Sequence, residues 1–179
     1  MGLAWIFKKL MFGNAFGTER GRIRLFHEMD WTLFPSRALA LNLQTVGEKL
    51  GEEFVYRLGY EAGKDAAEEM VKYMGLRPRG GWATQKAIIA MLEFIGFGKP
   101  EFVRAEINGK HHHIIVHVRD NPAIEHGARL FGARSMVCKW FMGVYAAHGE
   151  MELGVSDVNL KENKCVRLGA PYCEWETKR

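Results

Sequence analysis

An α+β domain with an antiparallel sheet and packed helices is predicted for this 179-residue chain, on three observations. Residues 36–74 carry Leu39, Leu43, Val46, Leu50, Phe54 and Leu58 at intervals of three and four, the period of a helix with one buried face. Residues 102–107 and 112–118 alternate in polarity on either side of Asn108-Gly109, a dipeptide suited to a tight hairpin turn. Residues 154–162 and 171–177 read as a second hairpin around Gly169-Ala170-Pro171. Helices, hairpin, helix and hairpin in that order belong to the α+β class.

In chain order, residues 1–12 form an amphipathic helix through Leu3, Ile6, Phe7 and Leu10, broken at Gly13 and Gly17. Residues 22–34 follow as a strand or irregular hairpin that Pro35 stops. Ser36 is the expected cap of the 36–74 region. Gly47, Gly51, Gly59 and Gly63 divide that region into two helices or kink one. Leu76–Gly81 is a loop by composition. Thr84 caps the next helix, whose apolar positions are Ile88, Met91, Leu92 and Ile95 and which ends near Gly96 or Gly98. In the first hairpin Val103, Ala105 and Ile107 share a face, as do His113, Ile115 and His117. Asn121-Pro122 caps a helix, with Pro at its first position. That helix runs, with a break at Gly132, to about Gly149.

Composition narrows the function classes. Apolar residues at 47% and charged residues at 26% suit one globular domain, and the 20 glycines have no collagen period. No run of 18 apolar residues is present, so no membrane-spanning helix is expected. Lys8 and Lys9 split the apolar start in a way no signal peptide does, and a cytoplasmic location is expected. The excess of four positive charges is spread in short clusters without interleaved aromatics, so nucleic acid is not an expected partner. The amphipathic 1–12 segment needs an apolar surface to cover, which predicts a homodimer. Serine is sparse (Ser36, Ser135, Ser156), and no nucleophile elbow, phosphate loop or dinucleotide fingerprint occurs, so no catalytic residues are assigned.

The chemistry concentrates at the C-terminal end. Cys165 and Cys173 stand symmetrically about Gly169, so a hairpin in that register places their sulfurs on adjacent strands. Cys138 lies on the preceding helix, and Glu162 adds a carboxylate. Three thiolates and a carboxylate suit a tetrahedral zinc ion, with Lys139, Lys161, Lys164 and Arg167 near in sequence to offset the negative charge. Positions 162 and 165 face opposite sides of a regular strand, so Glu162 joins only through a bulge. Spacing alone leaves two alternatives open: three buried small hydrophobes, or a Cys165–Cys173 disulfide.

The run Val137-Cys138-Lys139-Trp140-Phe141-Met142-Gly143-Val144-Tyr145, then Glu162-x-x-Cys165 and Gly169-Ala170-Pro171-Tyr172-Cys173-Glu174-Trp175, resembles the 4-vinyl reductase (4VR) domain. Tyr56-Arg57-Leu58-Gly59-Tyr60-Glu61-Ala62-Gly63 resembles the Gly-containing helix near that domain's start. The resemblance covers residues 36–177 and divides the chain into an N-terminal segment, 1–35, and a 4VR-like ligand-binding domain, 36–179. It implies a small hydrophobic-molecule binding module, stand-alone in archaea and sensory in aromatic-responsive activators. The implied fold is shared with TRAPP trafficking subunits, which hold an acyl chain, and with NO-signalling domains.

The resemblance also implies that Cys138, Glu162, Cys165 and Cys173 hold a structural zinc ion. The alternatives it leaves are a component of a reductase acting on a hydrophobic vinyl substrate, and a TRAPP-like assembly subunit. An apolar ligand pocket is expected between helices and sheet, with Trp82, Phe94, Phe97, His117, Trp140, Phe141 and Tyr145 as candidate liners. His117 could hydrogen-bond a ligand's polar end. His126 and His148 are expected on helix surfaces, and the 111–113 histidines at an exposed turn.

Overall fold

The structure, a computed structural model, describes residues 16–19, 22–25, 29–31, 34–73, 82–108 and 111–177. The expected 1–12 helix, and with it the basis for the homodimer, lies outside the described residues. Strands β1 (Phe16–Glu19), β2 (Arg22–Leu25) and β3 (Met29–Trp31) form a small antiparallel meander where a single strand or irregular hairpin was expected.

Two helices follow, α1 (Ser36–Leu50) and α2 (Glu52–Tyr73). Gly51 between them has φ +88°, a left-handed conformation that ends a helix cheaply only at glycine. Pro35, rather than Ser36, occupies the cap position of α1. Helix α3 (Trp82–Phe94) starts two residues before the expected cap at Thr84. Strands β4 (Lys99–Asn108) and β5 (His111–Arg119) make the predicted hairpin. Helix α4 (Pro122–Phe131) opens as expected, the Asn121 side chain accepting from the Ile124 N–H at 3.0 Å. A 3-10 turn at Gly132–Arg134 breaks it from α5 (Val137–Leu153). Strands β6 (Leu160–Lys164) and β7 (Cys173–Thr177) close the chain.

The larger sheet is antiparallel in the order β4-β5-β7-β6. Ile114, Val116 and Val118 of β5, Trp175 of β7 and Leu160 of β6 face inward. They pack with Phe141, Met142 and Tyr145 of α5 and with Ala123 and Ile124 of α4. The register of β4 slips between Phe102 and Arg104, and Val103 is exposed rather than sharing the inward side of its strand. An extra residue at a bulge breaks the simple alternation that the sequence reading assumed.

Helix α5 is sandwiched between this sheet and α2. Gly59 and Gly63 of α2 lie directly on the backbone of Trp140 and Val144, and Gly143 of α5 lies on the carbonyl of Tyr56. A side chain at any of the three would overlap main-chain atoms of the opposite helix, which explains why the glycines recur at helical spacing. Among the described residues, no helix is long and apolar enough to cross a membrane.

Candidate metal centre and ligand cavity

Cys138 enters the core from the first turn of α5, while Cys165 and Cys173 flank the turn that joins β6 to β7. That turn is a 3-10 segment, Val166–Leu168, ended by Gly169 at φ +87°. The strand register runs Leu160↔Thr177, Glu162↔Trp175 and then, after an irregularity, Lys164↔Glu174. Continued by one residue, it sets Cys165 opposite Cys173. The extra residue between Glu162 and Lys164 is the bulge the spacing required, and it brings positions 162 and 165 to one side of the strand.

The three sulfurs converge. Cys138 Sγ lies 2.7 Å from Cys165 Sγ and 3.7 Å from Cys173 Sγ, and the last two are 3.4 Å apart. All three cysteines are free thiols and buried to 1% exposure or less. Tetrahedral zinc–thiolate bonds of about 2.3 Å set sulfur–sulfur separations of about 3.8 Å, close to the Cys138–Cys173 value and longer than the other two. Among the described residues, this is the one group of three or more metal-capable side chains that converges.

The three thiols share their protons unequally. Hydrogen bonding with Cys138 and then with Cys165 lowers the pKa of Cys173 to about 4. Cys138 is pushed well up, first by its hydrogen bonds to the other two sulfurs and then by burial.

Glu162 stands beside the sulfurs but not among the group that closes within 4.8 Å. One carboxylate oxygen accepts from Arg167 Nη2 at 2.6 Å, and the other, Oε2, is buried without a hydrogen-bond partner among the described residues. Burial raises its pKa, an effect that Arg167 opposes. A buried carboxylate oxygen in the same corner as three thiols is chemically of the kind a zinc site uses. Arg167 also donates to the Ala133 carbonyl at 2.5 Å and so ties this corner to the turn before α5. Of the other basic residues expected here, Lys139 pairs with Glu52 at 3.6 Å and its charge also favours ionised Glu162, while Lys164 pairs with Glu174 at 2.9 Å and Lys161 is exposed.

A separate cavity of about 220 Å³ lies where α2, α3 and α5 meet. Its walls are Ala62, Gly63, Ala66 and Met70 of α2, Leu92 of α3, Ile95 and Phe97 of the following turn, and Trp140, Val144 and His148 of α5. The space exists because α2 presents small side chains where a larger residue would fill it.

Of the expected liners, Phe97 and Trp140 are in this wall. Phe141 and Tyr145 are buried in the core instead, Tyr145 stacking on Trp175 at 5.5 Å and donating to the Phe97 carbonyl at 3.1 Å. Phe94 is half-buried against the core but outside the wall, and the side chain of Trp82 lies outside the described residues.

His117 is on the outer side of the sheet, paired with Glu174 at 2.8 Å and stacked on Tyr172 at 4.3 Å, so it does not face the cavity. His113 makes the equivalent pair with Glu176 at 2.5 Å. His148, expected at a helix surface, is 2% exposed and lines the cavity. It follows Trp140 and Val144 at i+8 and i+4, a spacing that marks one face of α5.

No protein-family model matches the chain, and no curated protein matches its sequence. Solved structures do match. The phenol-responsive sensory domain of the transcription activator PoxR, with phenol, superposes with a TM-score of 0.69 at 16% identity, over 98% of this chain and 90% of that one. A vinyl-4-reductase family protein from Methanocaldococcus jannaschii gives 0.52 at 15% identity, over 86% and 85%. A trafficking protein particle complex subunit 3 from Naegleria fowleri, covalently bound to palmitic acid, gives 0.55 at 15% identity, over 80% and 95%. The chain therefore has the α+β fold that a ligand-responsive sensory domain, a vinyl-4-reductase family protein and a trafficking-complex subunit share.

Proposed function

We propose that this protein binds a small hydrophobic molecule in the α2–α3–α5 cavity and holds a structural zinc ion at Cys138, Glu162, Cys165 and Cys173. The observation that carries the reading is the pairing of a nearly all-apolar cavity with a fold whose solved examples include a domain described with phenol and a subunit described with palmitic acid. Four protein ligands would leave zinc no open position, so its role is to pin the β6–β7 turn to α5 rather than to activate water. Three of the residues that line the cavity sit on that same helix. Holding the start of α5 fixes the direction in which Trp140, Val144 and His148 project.

Native mass spectrometry of the untagged protein beside a Cys165→Ser variant tests the metal half. One zinc per chain, absent from the variant, is the expected result. A metal-free wild-type chain, or zinc retained in full by the variant, would remove the assignment. Calorimetric titration with toluene tests the cavity half, with saturable binding at one site per chain expected. An Ala66→Leu variant, which places a branched side chain in the cavity wall, is expected to lose that binding.

A further inference from the structure

The turn between β6 and β7 does more than link two cysteines. Arg167 stands in it two residues after Cys165, and its backbone N–H reaches the Cys165 sulfur. Its side chain folds inward and is only 17% exposed. One end of the guanidinium donates to Glu162 through Nη2 at 2.6 Å, and the other donates to the Ala133 carbonyl through Nη1. Glu162 lies three residues before Cys165, and Ala133 lies five residues before Cys138. A single planar group therefore holds both chain segments that carry the candidate ligands.

Taking a guanidinium and a carboxylate out of water is costly, and for stability alone a packed apolar pair would serve as well. What the ion pair supplies is position. Arginine offers its N–H groups in one fixed plane, so two acceptors bound at its two ends are fixed relative to each other. A lysine ammonium is a point charge on a flexible stem and imposes no such plane. With one oxygen of Glu162 engaged by Nη2, rotation of the carboxylate is restrained. Its other oxygen, Oε2, is buried and has no hydrogen-bond partner among the described residues.

We propose that Arg167 is a positioning residue of the metal centre, holding Glu162 so that its second oxygen is offered to the ion as the fourth ligand. The inference rests on the zinc reading of Cys138, Glu162, Cys165 and Cys173. Groups that orient a metal ligand from behind decide about ten- to hundredfold in metal affinity. Without Arg167 the three sulfurs still hold the ion, while the carboxylate turns away and leaves the fourth position to solvent.

The test is a double-mutant cycle on the full chain, read as zinc affinity by competition with a chromophoric chelator. Glu162→Ala and Arg167→Gln are each expected to weaken zinc binding about ten- to hundredfold. The double variant is expected to bind no more weakly than Glu162→Ala alone, because Arg167 acts through the carboxylate. Losses that add would mean that Arg167 supports the fold independently of Glu162, and would overturn the proposal. A second readout uses cobalt(II) in place of zinc. Azide is expected to leave the visible absorption of the cobalt-loaded wild type unchanged and to shift that of Glu162→Ala and Arg167→Gln, whose fourth position is open. Arg167→Lys, which keeps the charge without the planar fork, is made alongside in case the neutral side chain disturbs folding, with the same azide response expected.

Arg167 variants that keep wild-type affinity and ignore azide would overturn the role of Arg167 while leaving the zinc site in place. A cobalt-loaded wild type that responds to azide would overturn Glu162 as the fourth ligand, and the role of Arg167 with it. A wild-type chain that binds neither zinc nor cobalt would overturn the zinc reading itself.

Discussion

Alanine in place of Gly59 and alanine in place of Gly149 are the same chemical change at two helix-interior positions, and the structure gives them opposite signs. Removing glycine from a helix interior ordinarily stabilises by about 0.5–1 kcal/mol, because alanine has less backbone freedom to lose. At Gly149 the added Cβ meets Val158 at 3.7 Å, an ordinary contact, so the full gain is expected. At Gly59 the same atom falls on the carbonyl of Trp140, with the carbonyl carbon at 2.8 Å. Main-chain atoms cannot rotate aside, so α2 and α5 must part. Overpacking of this kind costs about 1–3 kcal/mol in a yielding core and more against rigid backbone. Set against the propensity gain, Gly59→Ala should destabilise by about 2 kcal/mol. For a chain of this size about 1 kcal/mol moves the melting temperature by about 2–4 °C. Thermal melts followed by circular dichroism should therefore show Gly149→Ala about 1–4 °C above wild type and Gly59→Ala about 4–8 °C below it. Gly143→Ala, which meets the Tyr56 carbonyl from the other side, should follow Gly59→Ala. A Gly59→Ala protein that melts at or above the wild-type temperature would refute the close helix contact.

The remaining predictions address the metal corner, the core and the outer sheet. Glu162→Ala should weaken zinc binding measured by competition with a chromophoric chelator, yet less than Cys138→Ser does, because three sulfurs stay in place. Equal loss in the two variants would count against the carboxylate as the weakest ligand. Gln85 of α3 is fully buried, and neither atom of its carboxamide has a hydrogen-bond partner among the described residues. Gln85→Met, close in shape and free of the unsatisfied groups, should stabilise the protein by about 1–2 kcal/mol in urea denaturation, and a destabilised variant would show that the amide is in fact satisfied. Asn163 and then His113 hold the carboxylate of Glu176 below its ordinary pKa of 4.5. A depressed carboxylate contributes stability above that value and loses it as pH falls through the lower, folded-state value. Glu176→Gln should accordingly flatten the fall in melting temperature below about pH 4.5, and an unchanged slope would place the acid sensitivity elsewhere.

What the sequence disclosed, and what it withheld, follows from how each site is built. The approach of Cys165 to Cys173 was legible because its geometry is local. Cys165 and Cys173 are fixed by one hairpin centre at Gly169, and the parity mismatch of Glu162 announced the bulge that the β6–β7 register contains. Asn121-Pro122 and Asn108-Gly109 were legible for the same reason, since a cap and a turn depend on neighbours within four residues. The cavity was not. Its α2 wall is Ala62, Gly63, Ala66 and Met70, residues that declare themselves by what they lack, and two of the aromatic side chains that looked like pocket lining, Phe141 and Tyr145, fill the core instead.

Helix α5 shows why the histidine was misplaced. Its residues from Phe141 to Gly149 are buried all round, between α2 on one side and the sheet on the other. An amphipathic stripe identifies the buried side of a helix only when another side meets water. With none exposed, a polar residue such as His148 reads as surface by type alone. The sheet misled in the opposite direction. His113, Ile115 and His117 do share one face of β5, as the alternation required, but that face is outward, where Glu174 and Glu176 pair with the two histidines. Alternation fixes which residues share a face and leaves open which face is inside. The same distinction separates the two halves of the proposed function. Zinc ligation depends on residue type and register, both written in the chain, whereas ligand choice depends on the size of a gap between three helices that only their packing defines.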